Sequence, residues 1–381
     1  MENLLFSKIE ELTPTYIKVL EDICNIESPT NCKVGVDAVG EYFINMAKER
    51  GWDIEMCLQP VSGNAVCITM NKDAAGEPIC LSGHMDTVHP VGSFGTPAVR
   101  IEGDKIYAPG VVDCKGGIVV AFLAMDALRC TGFTARPVKL ILQSDEENSS
   151  RTSNRETIKF MCQKAEGARA FFNLEGHDGK ICVQRKGILT FEFTVNGIAG
   201  HASKCATIGA NAILEAAHKI IELEKFKDEK GLTCCCGTII GGTTYNTIPA
   251  ECKFRANVRY ATQQEADYIM NFVTELAAKN TVKGCTTTVS VLSSRIAMER
   301  TEKNIKLYND MNAIFRENGL PEVGDSFRFG GSDAAYTTAA GIPTVDNMGL
   351  EGEDIHTLNE FAYISSLGKM AKYLAAVTKN L

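Results

Sequence analysis

The residues of this sequence best suited to chemistry are two histidines and five carboxylates in short segments with small or polar neighbours. They are His84 and Asp86 in SGHMDTV, Asp113 in APGVVDCKGG, Glu146 and Glu147 in SDEEN, Glu175 in NLEG, and His356 in GEDIHTL. Two imidazoles with several carboxylates and no paired thiolates make a ligand set suited to catalytic zinc, or to cobalt or manganese. Two such ions about 3.5–4 Å apart, bridged by a carboxylate, activate a water molecule and stabilise the oxyanion of an attacked amide.

The acidic residues of this set do not all have to bind metal. If the chain is extended at Glu146 and Glu147, their side chains point in opposite directions, so only one of them binds metal easily. The other is placed to act as a general base toward a water molecule and then to protonate the leaving amine. Asp86 is either an ordinary turn carboxylate or, as its spacing from His84 favours, the acceptor that orients the His84 ring through its second nitrogen.

The elements that must position these residues alternate between strand and helix, which predicts an α/β fold for the first part of the chain. Ligands of open α/β sheets bind beyond the carboxyl ends of the strands, so we expect the segments that follow the strands to converge. The predicted strands are Ala65–Met70, Ile79–Gly83, Val138–Gln143, Ala170–Leu174 and a late strand Ile342–Asn347; the predicted helices are the crossover Gly116–Cys130 and a last helix Phe361–Leu381.

The pattern changes after residue 187, where apolar and polar residues begin to alternate as in a half-covered strand. From there to about residue 294 the order is β-α-β-β-α-β, which is typical of a ferredoxin-like unit. We therefore predict a metal-binding domain made of residues 1–187 and 295–381, with residues 188–294 inserted into it. The two chain crossings between the domains would form a hinge.

Composition and charge exclude several classes of protein. The formal net charge is −8, and no basic stripe interleaves with aromatic residues, so we expect no nucleic-acid partner. No apolar run reaches the roughly 18 residues of a membrane span, and the first residues lack the pattern of a secretory signal. The 15 cysteines include no C-x-x-C pair, which favours free thiols in a reducing compartment. We expect a cytoplasmic protein without a membrane partner.

Taken together, the motifs of this chain resemble a known family: the dinuclear zinc metallopeptidases that include glutamate carboxypeptidase, acetylornithine deacetylase, succinyl-diaminopimelate desuccinylase and aminoacylase. The resemblance runs over nearly the whole length and is closest to bacterial glutamate carboxypeptidases. The motifs that carry it are SGHMDTV, APGVVDCKGG, SDEEN, RKG, GIAGHAS, TTYNTIPAECKFRANVRY, FGGSDAAY and GEDIHT. It implies a zinc-exopeptidase-like α/β/α catalytic domain with an inserted ferredoxin-like α+β domain that serves as lid and dimerisation domain.

The resemblance also implies a role for each candidate ligand. Asp113 bridges two Zn²⁺ ions per subunit, with Co²⁺ or Mn²⁺ as substitutes, and the peptide bond after it is cis. His84 and Glu175 bind one ion, and Glu147 and His356 bind the other. Glu146 becomes the general base.

For the inserted domain, the resemblance implies that Arg259 clamps the substrate carboxylate, that Asn246 helps to bind it, and that His201 stabilises the oxyanion across a dimer interface. Gly331 and Ser332 are candidates for the lining of the carboxylate pocket. Without the resemblance, Arg259 would be interpreted as a surface strand residue and the other four as loop or turn residues. An arginine is nonetheless the preferred bidentate receptor for a carboxylate.

The chain departs from the family pattern at a few positions beside these sites. Cys114 stands where many relatives have Met or Asp, and we expect it to be tolerated because it follows the bridging ligand. His201 is followed by Ala202 and Ser203, although Gly is common at the third position. Asn257 replaces an acidic residue that often occurs two positions before the arginine.

The predicted activity is hydrolysis of an amide bond next to a free carboxylate, as in a glutamate carboxypeptidase. The substrate would be a small peptide or an N-acyl amino acid, and the enzyme a homodimer through its inserted domain. An N-acyl amino acid deacylase or a dipeptidase with the same two-metal mechanism is the alternative within this chemistry. A metal-binding or regulatory protein that kept the fold without catalysis is the alternative from another class.

Overall fold

The computed structural model describes residues 3–381. The α-helices of this range are α1 (Leu4–Asn25), α2 (Lys33–Glu49), α3 (Gly116–Cys130), α4 (Glu156–Ala165), α5 (Ala212–Leu223), α6 (Gln263–Ala278), α7 (Glu302–Glu317), α8 (Ala334–Ala339) and α9 (Ser366–Asn380). None of these helices combines the length and the hydropathy that a membrane span requires.

The strands are numbered in the order in which they occur along the chain. They are β1 (Asp53–Cys57), β2 (Ala65–Met70), β3 (Ile79–His84), β4 (Arg100–Glu102), β5 (Lys105–Tyr107), β6 (Val138–Gln143), β7 (Ala170–Asn173), β8 (Lys180–Arg185), β9 (Gly187–Asn196), β10 (Gly200–His201), β11 (Thr233–Gly241), β12 (Thr247–Ile248), β13 (Glu251–Tyr260), β14 (Thr286–Arg295), β15 (Gly324–Arg328), β16 (Thr344–Val345), β17 (Gly352–Glu353) and β18 (Phe361–Tyr363).

The chain divides into two compact units. The first contains residues 1–183, 300–327 and 336–381, and the second contains residues 184–299 and 328–335. The sequence predicts the domain boundaries at 187/188 and 294/295 instead, and it leaves residues 328–335 in the first domain. In the structure this segment bonds within the second unit: the backbone N–H of Lys186 donates to the carbonyl of Arg328 at 2.9 Å.

The first unit is built on a six-stranded sheet with the order β1-β2-β6-β3-β7-β16. Strands β6, β3, β7 and β16 run parallel, so their carboxyl ends lie at one edge. Helices cover both faces, because successive side chains of a strand point to opposite sides. Val66 and Leu81 belong to the large core that includes α3, while their neighbours Cys67 and Cys80 pack with Ile158 of α4. The predicted α/β class is confirmed.

Long, fully buried elements of this unit lie where the sequence predicts them. Strands β2 and β6 and helix α3 have the predicted bounds, and β3 and β7 differ from the prediction by one residue at one end. Every residue of β2 and β3 is buried, as is α3 except for its last two residues. Apolar runs without periodicity are expected for elements that are covered on all sides.

Two predictions near the carboxyl end of the chain are wrong in part. Phe361–Tyr363, predicted as the start of the last helix, forms strand β18, which pairs with β5 and β17, and the helix begins only at Ser366. The late strand is limited to Thr344–Val345. In both cases the regular structure depends on pairing with distant residues, which local periodicity does not reveal.

The second unit contains a four-stranded antiparallel sheet with the order β11-β13-β9-β14 and the helices α5 and α6. With the chain order β9-α5-β11-β13-α6-β14, this is the predicted ferredoxin-like arrangement. Alternate residues of β9 and β13 are buried against the helices, and Phe193 stacks on Phe254 with ring centroids 4.6 Å apart. The opposite face of the sheet carries the polar residues of both strands.

Candidate metal centre

The seven metal-site candidates come together at the carboxyl edge of the first unit's sheet. His84 is the last residue of β3, Glu146 and Glu147 follow β6, and Glu175 follows β7. Because β3, β6 and β7 are parallel, these three segments end at the same edge. Asp113 lies in a turn directly before α3 and completes the group from a fourth segment.

Asp113 lies between the two imidazoles. Its Oδ1 is 2.9 Å from His84 Nε2, and its Oδ2 is 2.9 Å from His356 Nε2. Glu175 Oε1 lies 3.8 Å from His84 Nε2, and Glu147 Oε2 lies 3.4 Å from His356 Nε2. The contacts therefore divide into two sets that share only the Asp113 carboxylate, one oxygen in each set.

The close approach of backbone segments positions Asp113. A Cβ atom at Gly117, in the first turn of α3, would lie 2.1 Å from the carbonyl oxygen of Leu174, the residue before Glu175. Glycine at this position therefore lets the start of α3 approach the end of β7. The peptide bond between Asp113 and Cys114 is cis, as the resemblance implies.

Asp86 connects His84 to the segment that carries the paired glutamates. Its Oδ1 lies 3.4 Å from His84 Nδ1, and its backbone carbonyl lies 2.9 Å from the same nitrogen. Its carboxylate also accepts the backbone N–H groups of Glu146 and Glu147, at 3.1 and 3.2 Å. Asp86 thus orients an imidazole, at the shorter distance through its backbone carbonyl, and its buried carboxylate caps the next ligand segment.

The chain is not extended at Glu146 and Glu147, so the condition for opposed side chains is not met. Residues Glu146–Asn148 form one turn of 3-10 helix, because the Asp86 carboxylate satisfies the first two N–H groups of that turn. Both carboxylates reach the site. Ligand atoms of His84, Asp113 and Glu147 lie within 4.8 Å of one another, and so do those of His84, Glu146 and Glu175. The different roles of the two glutamates therefore rest on the family resemblance and not on opposed side-chain directions.

The protonation of these groups reflects crowding of acids in a buried place. Burial raises the pKa of Glu147 to about 7. Burial, followed by the charge of Asp113, raises the pKa of Glu175 well above its ordinary value. Hydrogen bonds to Asp113 and then to Glu147 raise the pKa of His356 to about 11. Burial alone would raise the pKa of Asp113, but hydrogen bonds from His356 and His84 outweigh it and lower the pKa.

This donor set fits divalent cations. Oxygen and imidazole ligands without thiolates suit a catalytic metal site, and the shared Asp113 carboxylate divides the five side chains into two groups. Within residues 3–381, the only clusters of three or more candidate ligands are the two overlapping groups around His84.

Glu360 is a functional candidate that the sequence interpretation missed. Its buried carboxylate accepts the backbone N–H groups of Gly110, Val112 and Asp113 at 3.2, 2.9 and 3.1 Å, and it lies 3.0 Å from His89 Nε2. It therefore holds the turn that carries the bridging aspartate. No local signal marks it, because its partners are about 250 residues away in the chain.

Cys114 also has a defined place. Its buried thiol sulfur lies 2.9 Å from the backbone nitrogen of His84 and does not contact a second cysteine. Burial raises the pKa of this thiol to about 12, so it remains protonated at neutral pH. The residue thus supports the end of β3, in agreement with its predicted tolerance.

The substrate-binding candidates lie in the second unit and form two groups. His201 and Asn246 are neighbours: β10 pairs with β12, and the N–H of Ala202 donates to the carbonyl of Asn246 at 3.0 Å. Both side chains are exposed, and His201 Nδ1 is 2.8 Å from Ser203 Oγ. This group lies at the end of the sheet where β13 begins.

Arg259 lies near the other end of β13. The eight residue steps from Glu251 to Arg259 correspond to about 27 Å of strand. Arg259 Nη1 donates to the carbonyl of Phe329 at 3.2 Å, which brings it near Gly331 and the buried Ser332. A Cβ atom at Gly331 would lie 2.4 Å from Arg295 Cδ, so the absence of a side chain makes room for this second arginine.

Comparison with known proteins supports the interpretation of the motifs. The sequence profile of Peptidase family M20/M25/M40 matches residues 80–380. Carboxypeptidase G2 of Pseudomonas sp. (strain RS-16) is 28% identical over 379 residues, which cover 98% of this chain and 91% of that protein. Succinyl-diaminopimelate desuccinylase of Rickettsia felis (strain ATCC VR-1525 / URRWXCal2) is 26% identical over 381 residues, which cover 93% of this chain and 97% of that protein.

Solved structures agree on the fold. Aminopeptidase PepT from Bacillus cereus ATCC 10987 superposes with a TM-score of 0.80 and 19% identity, covering 96% of this chain and 98% of that one. The profile match extends over well more than half of the residues, and the resemblance seen in the motifs is confirmed. The chain belongs to peptidase family M20/M25/M40 and is a metal-dependent hydrolase of amide bonds.

Proposed function

We propose that this enzyme is a two-zinc exopeptidase of the carboxypeptidase type, which cleaves the amide bond next to a free carboxylate in a small peptide. The observation that carries the proposal is the Asp113 carboxylate, with one oxygen 2.9 Å from His84 and the other 2.9 Å from His356. The similarity to a carboxypeptidase over 98% of the chain supports the choice of reaction.

In this proposal His84, Glu175 and Asp113 hold one ion, and Asp113, Glu147 and His356 hold the other. Zinc suits the imidazole and carboxylate ligands, and cobalt or manganese are substitutes. When bound, the ions supply a more acidic water nucleophile and stabilise negative charge on the oxygen of the attacked carbonyl. Asp86 fixes the orientation of His84 through the second ring nitrogen.

Glu146 acts as the general base. Its carboxylate lies within 4.8 Å of ligand atoms of His84 and Glu175, so it is beside the proposed cation sites. It takes a proton from the attacking water and delivers it to the leaving nitrogen, which then departs as an amine. The Glu147 carboxylate, nearer to His356, remains a ligand.

Arg259 is the proposed receptor for the substrate carboxylate, since a guanidinium binds a carboxylate with two parallel hydrogen bonds. Gly331 and Ser332 line the same pocket. Their segment approaches Arg259 through the carbonyl of Phe329, which supports this assignment.

The separation of His201 and Asn246 from Arg259 supports a homodimer. About 27 Å of strand is too long for one small substrate to touch both groups of a single chain. In a two-fold dimer, Arg259 of one subunit meets His201 and Asn246 of the other, so that each site takes residues from both chains.

Exposed apolar residues of the second unit support the same assembly, with the second unit as lid and dimerisation domain. Ile213, Leu214 and Ile221 of α5 and Ile239 and Ile240 of the edge strand β11 are exposed. Ile213 lies against Gly241 at the end of β11, so the two elements form one surface. An edge strand beside exposed apolar side chains is a natural dimer contact.

The proposal includes a cytoplasmic location. All fifteen cysteines are free thiols, and Cys130, Cys205 and Cys235 are exposed. Exposed free thiols fit a reducing compartment, where disulfides are rare.

An N-acyl amino acid deacylase or dipeptidase is the second candidate, favoured by the 26% identity to a desuccinylase. A panel of a folyl-glutamate, N-acyl amino acids, dipeptides and tripeptides, assayed with zinc, separates the candidates. We expect the highest kcat/KM for release of the carboxyl-terminal residue of a tripeptide or of the glutamate of the folyl-glutamate. Fastest hydrolysis of the N-acyl amino acids or the dipeptides would select the second candidate, and no zinc-dependent hydrolysis of any compound would contradict both.

A further inference from the structure

Asn257 and Arg259 lie two residues apart on β13, so their side chains project from the same, polar face of the sheet. Arg259 Nε donates a hydrogen bond to Asn257 Oδ1 at 3.0 Å. Asn257 Nδ2 in turn donates to Thr190 Oγ1 at 3.2 Å, across the strand pairing in which Asn257 is directly opposite Thr190. The guanidinium is thus connected through an amide to a fixed position on the neighbouring strand.

The direction of these bonds is determined by chemistry. A guanidinium nitrogen only donates, so the atom of Asn257 that faces Arg259 must be the carbonyl oxygen. The amide nitrogen then faces Thr190, whose hydroxyl oxygen accepts. Exchanging the two atoms would place two donors together at Arg259.

The bonds also leave a defined part of the guanidinium available. An arginine has five N–H donors. One on Nε is used by Asn257 and one on Nη1 by the carbonyl of Phe329. Among residues 3–381, no other group accepts from Arg259, so the remaining donors are on Nη1 and Nη2, which form the terminal fork that binds a carboxylate bidentately.

The charge of Arg259 is not neutralised at this place. Within the described residues, no carboxylate lies at salt-bridge distance from Arg259, although Arg255 on the same strand pairs with Glu192 at 2.7 Å. Burial and then the charge of Arg295 lower the pKa of Arg259, so the guanidinium is partly desolvated and close to a second arginine. An anionic ligand would relieve both effects.

We propose that Asn257 is a positioning and specificity residue, which holds the Arg259 fork in the direction of the substrate carboxylate while leaving the full charge of the guanidinium for the substrate. This rests on the proposed function, in which Arg259 is the carboxylate receptor. The occupant is the free carboxylate of the substrate next to the scissile amide bond. The neutral amide orients Arg259 through one acceptor, whereas an aspartate would place a competing negative charge beside the guanidinium.

The test compares the panel substrate of highest kcat/KM with its carboxamide, in which the free carboxylate is replaced by a neutral amide. For the carboxylate substrate, we expect Asn257→Ala to raise KM about tenfold, the effect of losing roughly one oriented charged hydrogen bond, with kcat within about twofold of the parent. For the carboxamide, both constants should stay unchanged. Asn257→Asp should raise KM for the carboxylate as well, because a negative charge beside Nε weakens the attraction of the guanidinium for the substrate carboxylate.

Matched variants distinguish positioning from a structural effect. Thr190→Val removes the hydrogen bond between Asn257 and Thr190. It should also raise KM for the carboxylate, but by less than Asn257→Ala does. Glu192→Gln breaks the ion pair with Arg255 on the same face of the sheet. It should leave kcat and KM unchanged for both substrates. An equal loss for carboxylate and carboxamide in Asn257→Ala would show a merely structural role and overturn the proposal. A KM for Asn257→Asp at or below that of the parent would overturn the charge argument.

Arg259→Ala separates this inference from the function on which it rests. If that variant abolishes the preference for carboxylate over carboxamide and Asn257→Ala does not change it, only the positioning role of Asn257 fails. If Arg259→Ala leaves the preference intact, the receptor assignment itself fails.

Discussion

At the scale of single residues, the candidate metal centre is a group of acids and imidazoles that form hydrogen bonds and ion pairs with one another. Asp113 is held in its charged form by His84 and His356, while Glu147 and Glu175 have raised pKa values. The ligands therefore carry protons at neutral pH that an ion must displace. Metal binding is for this reason expected to depend on pH.

We predict that zinc binding releases protons and becomes tighter as pH rises. The sign follows from the raised pKa values: Glu147, at about 7, is half protonated at neutral pH, and His356, at about 11, is almost fully protonated. Each must lose its proton to bind metal, so lowering the pH weakens binding. Calorimetric titration with zinc at pH 7 in two buffers of different ionisation enthalpy counts the protons released. A net release of zero would contradict the assignment of these ligands.

Glu146 provides a second prediction at this scale. Glu146→Gln keeps the shape of the side chain but cannot accept a proton, so kcat should fall by at least about 10²-fold. Elemental analysis should still find two metals per subunit, because Glu146 is not one of the proposed ligands. Glu156→Gln, on the exposed start of α4, is the control and should retain activity. Substantial turnover by Glu146→Gln would remove Glu146 as the base.

At the scale of elements, α3 is anchored to α1 and to the end of α2 through one buried carboxylate. Asp126 of α3 accepts two hydrogen bonds from Arg50, at 2.8 and 2.6 Å, and one from the Tyr16 hydroxyl at 2.6 Å. Arg50 also lies over the rings of Trp52 and Phe122. Helix α3 begins at Gly116, three residues after Asp113. The contacts of Asp126 therefore fix the helix whose first turn adjoins the candidate metal centre.

We predict that Asp126→Ala lowers the free energy of unfolding by about 3–5 kcal/mol, because it leaves a largely buried guanidinium without its partner. Chemical denaturation at pH 7 measures the change. Asp310→Ala, which breaks an exposed pair with Lys306, is the matched control and should change stability by at most about 1 kcal/mol. A similar small change for both variants would contradict the role of Asp126 as an anchor.

The difference in free energy of unfolding between the parent and Asp126→Ala should depend on pH with a defined sign. Hydrogen bonds from Arg50 and Tyr16 outweigh the effect of burial and lower the pKa of Asp126 in the folded protein. A group with a depressed folded pKa stabilises the protein above its unfolded pKa, near about 3.9, and loses this contribution as pH falls toward the folded pKa. The difference between parent and Asp126→Ala should therefore be largest at neutral pH and shrink below about pH 4.

The elements that sequence predicts well differ physically from those it misses. Strand β6 and helix α3 are mostly apolar and almost entirely buried, and turn residues limit them, so their bounds can be derived locally. Strands β4 and β17 have three and two residues, are mostly exposed and exist through pairing alone. The 3-10 turn at Glu146 depends on a cap from Asp86, 60 residues earlier, which no local pattern contains.

The same distinction holds for the site. The convergence of the candidate ligands could be predicted because histidine and carboxylates at strand ends have few other uses there, as His84 illustrates. Glu360 could not, because a buried glutamate that binds backbone N–H groups of a distant turn has the same local sequence as a surface glutamate. The separation of Asn246 from Arg259 also required the structure, since it depends on the length and direction of β13.

At the scale of the whole molecule, the proposed dimer predicts complementation between subunits. Arg259→Ala and His201→Ala should each be nearly inactive as homodimers, because each lacks one part of every site. When the two are mixed and allowed to exchange, half of the dimers become mixed. Each mixed dimer contains one site with both residues intact, so about a quarter of the parent activity should return.

The control for this experiment is a mixture of the single variant Arg259→Ala with the double variant Asn257→Ala/Arg259→Ala. Both lack Arg259, so the mixture should recover no activity. Sedimentation of the mixture verifies that dimers are present. No recovery in exchanged dimers of Arg259→Ala with His201→Ala would contradict a site shared between subunits.

The central claim is that two cations lie on either side of the Asp113 carboxylate. Anomalous diffraction at the zinc absorption edge, from crystals of the zinc-loaded enzyme, tests it directly. We predict two peaks about 3.5–4 Å apart, one beside His84 and Glu175 and the other beside His356 and Glu147. A single peak, or zinc bound away from Asp113, would contradict the account.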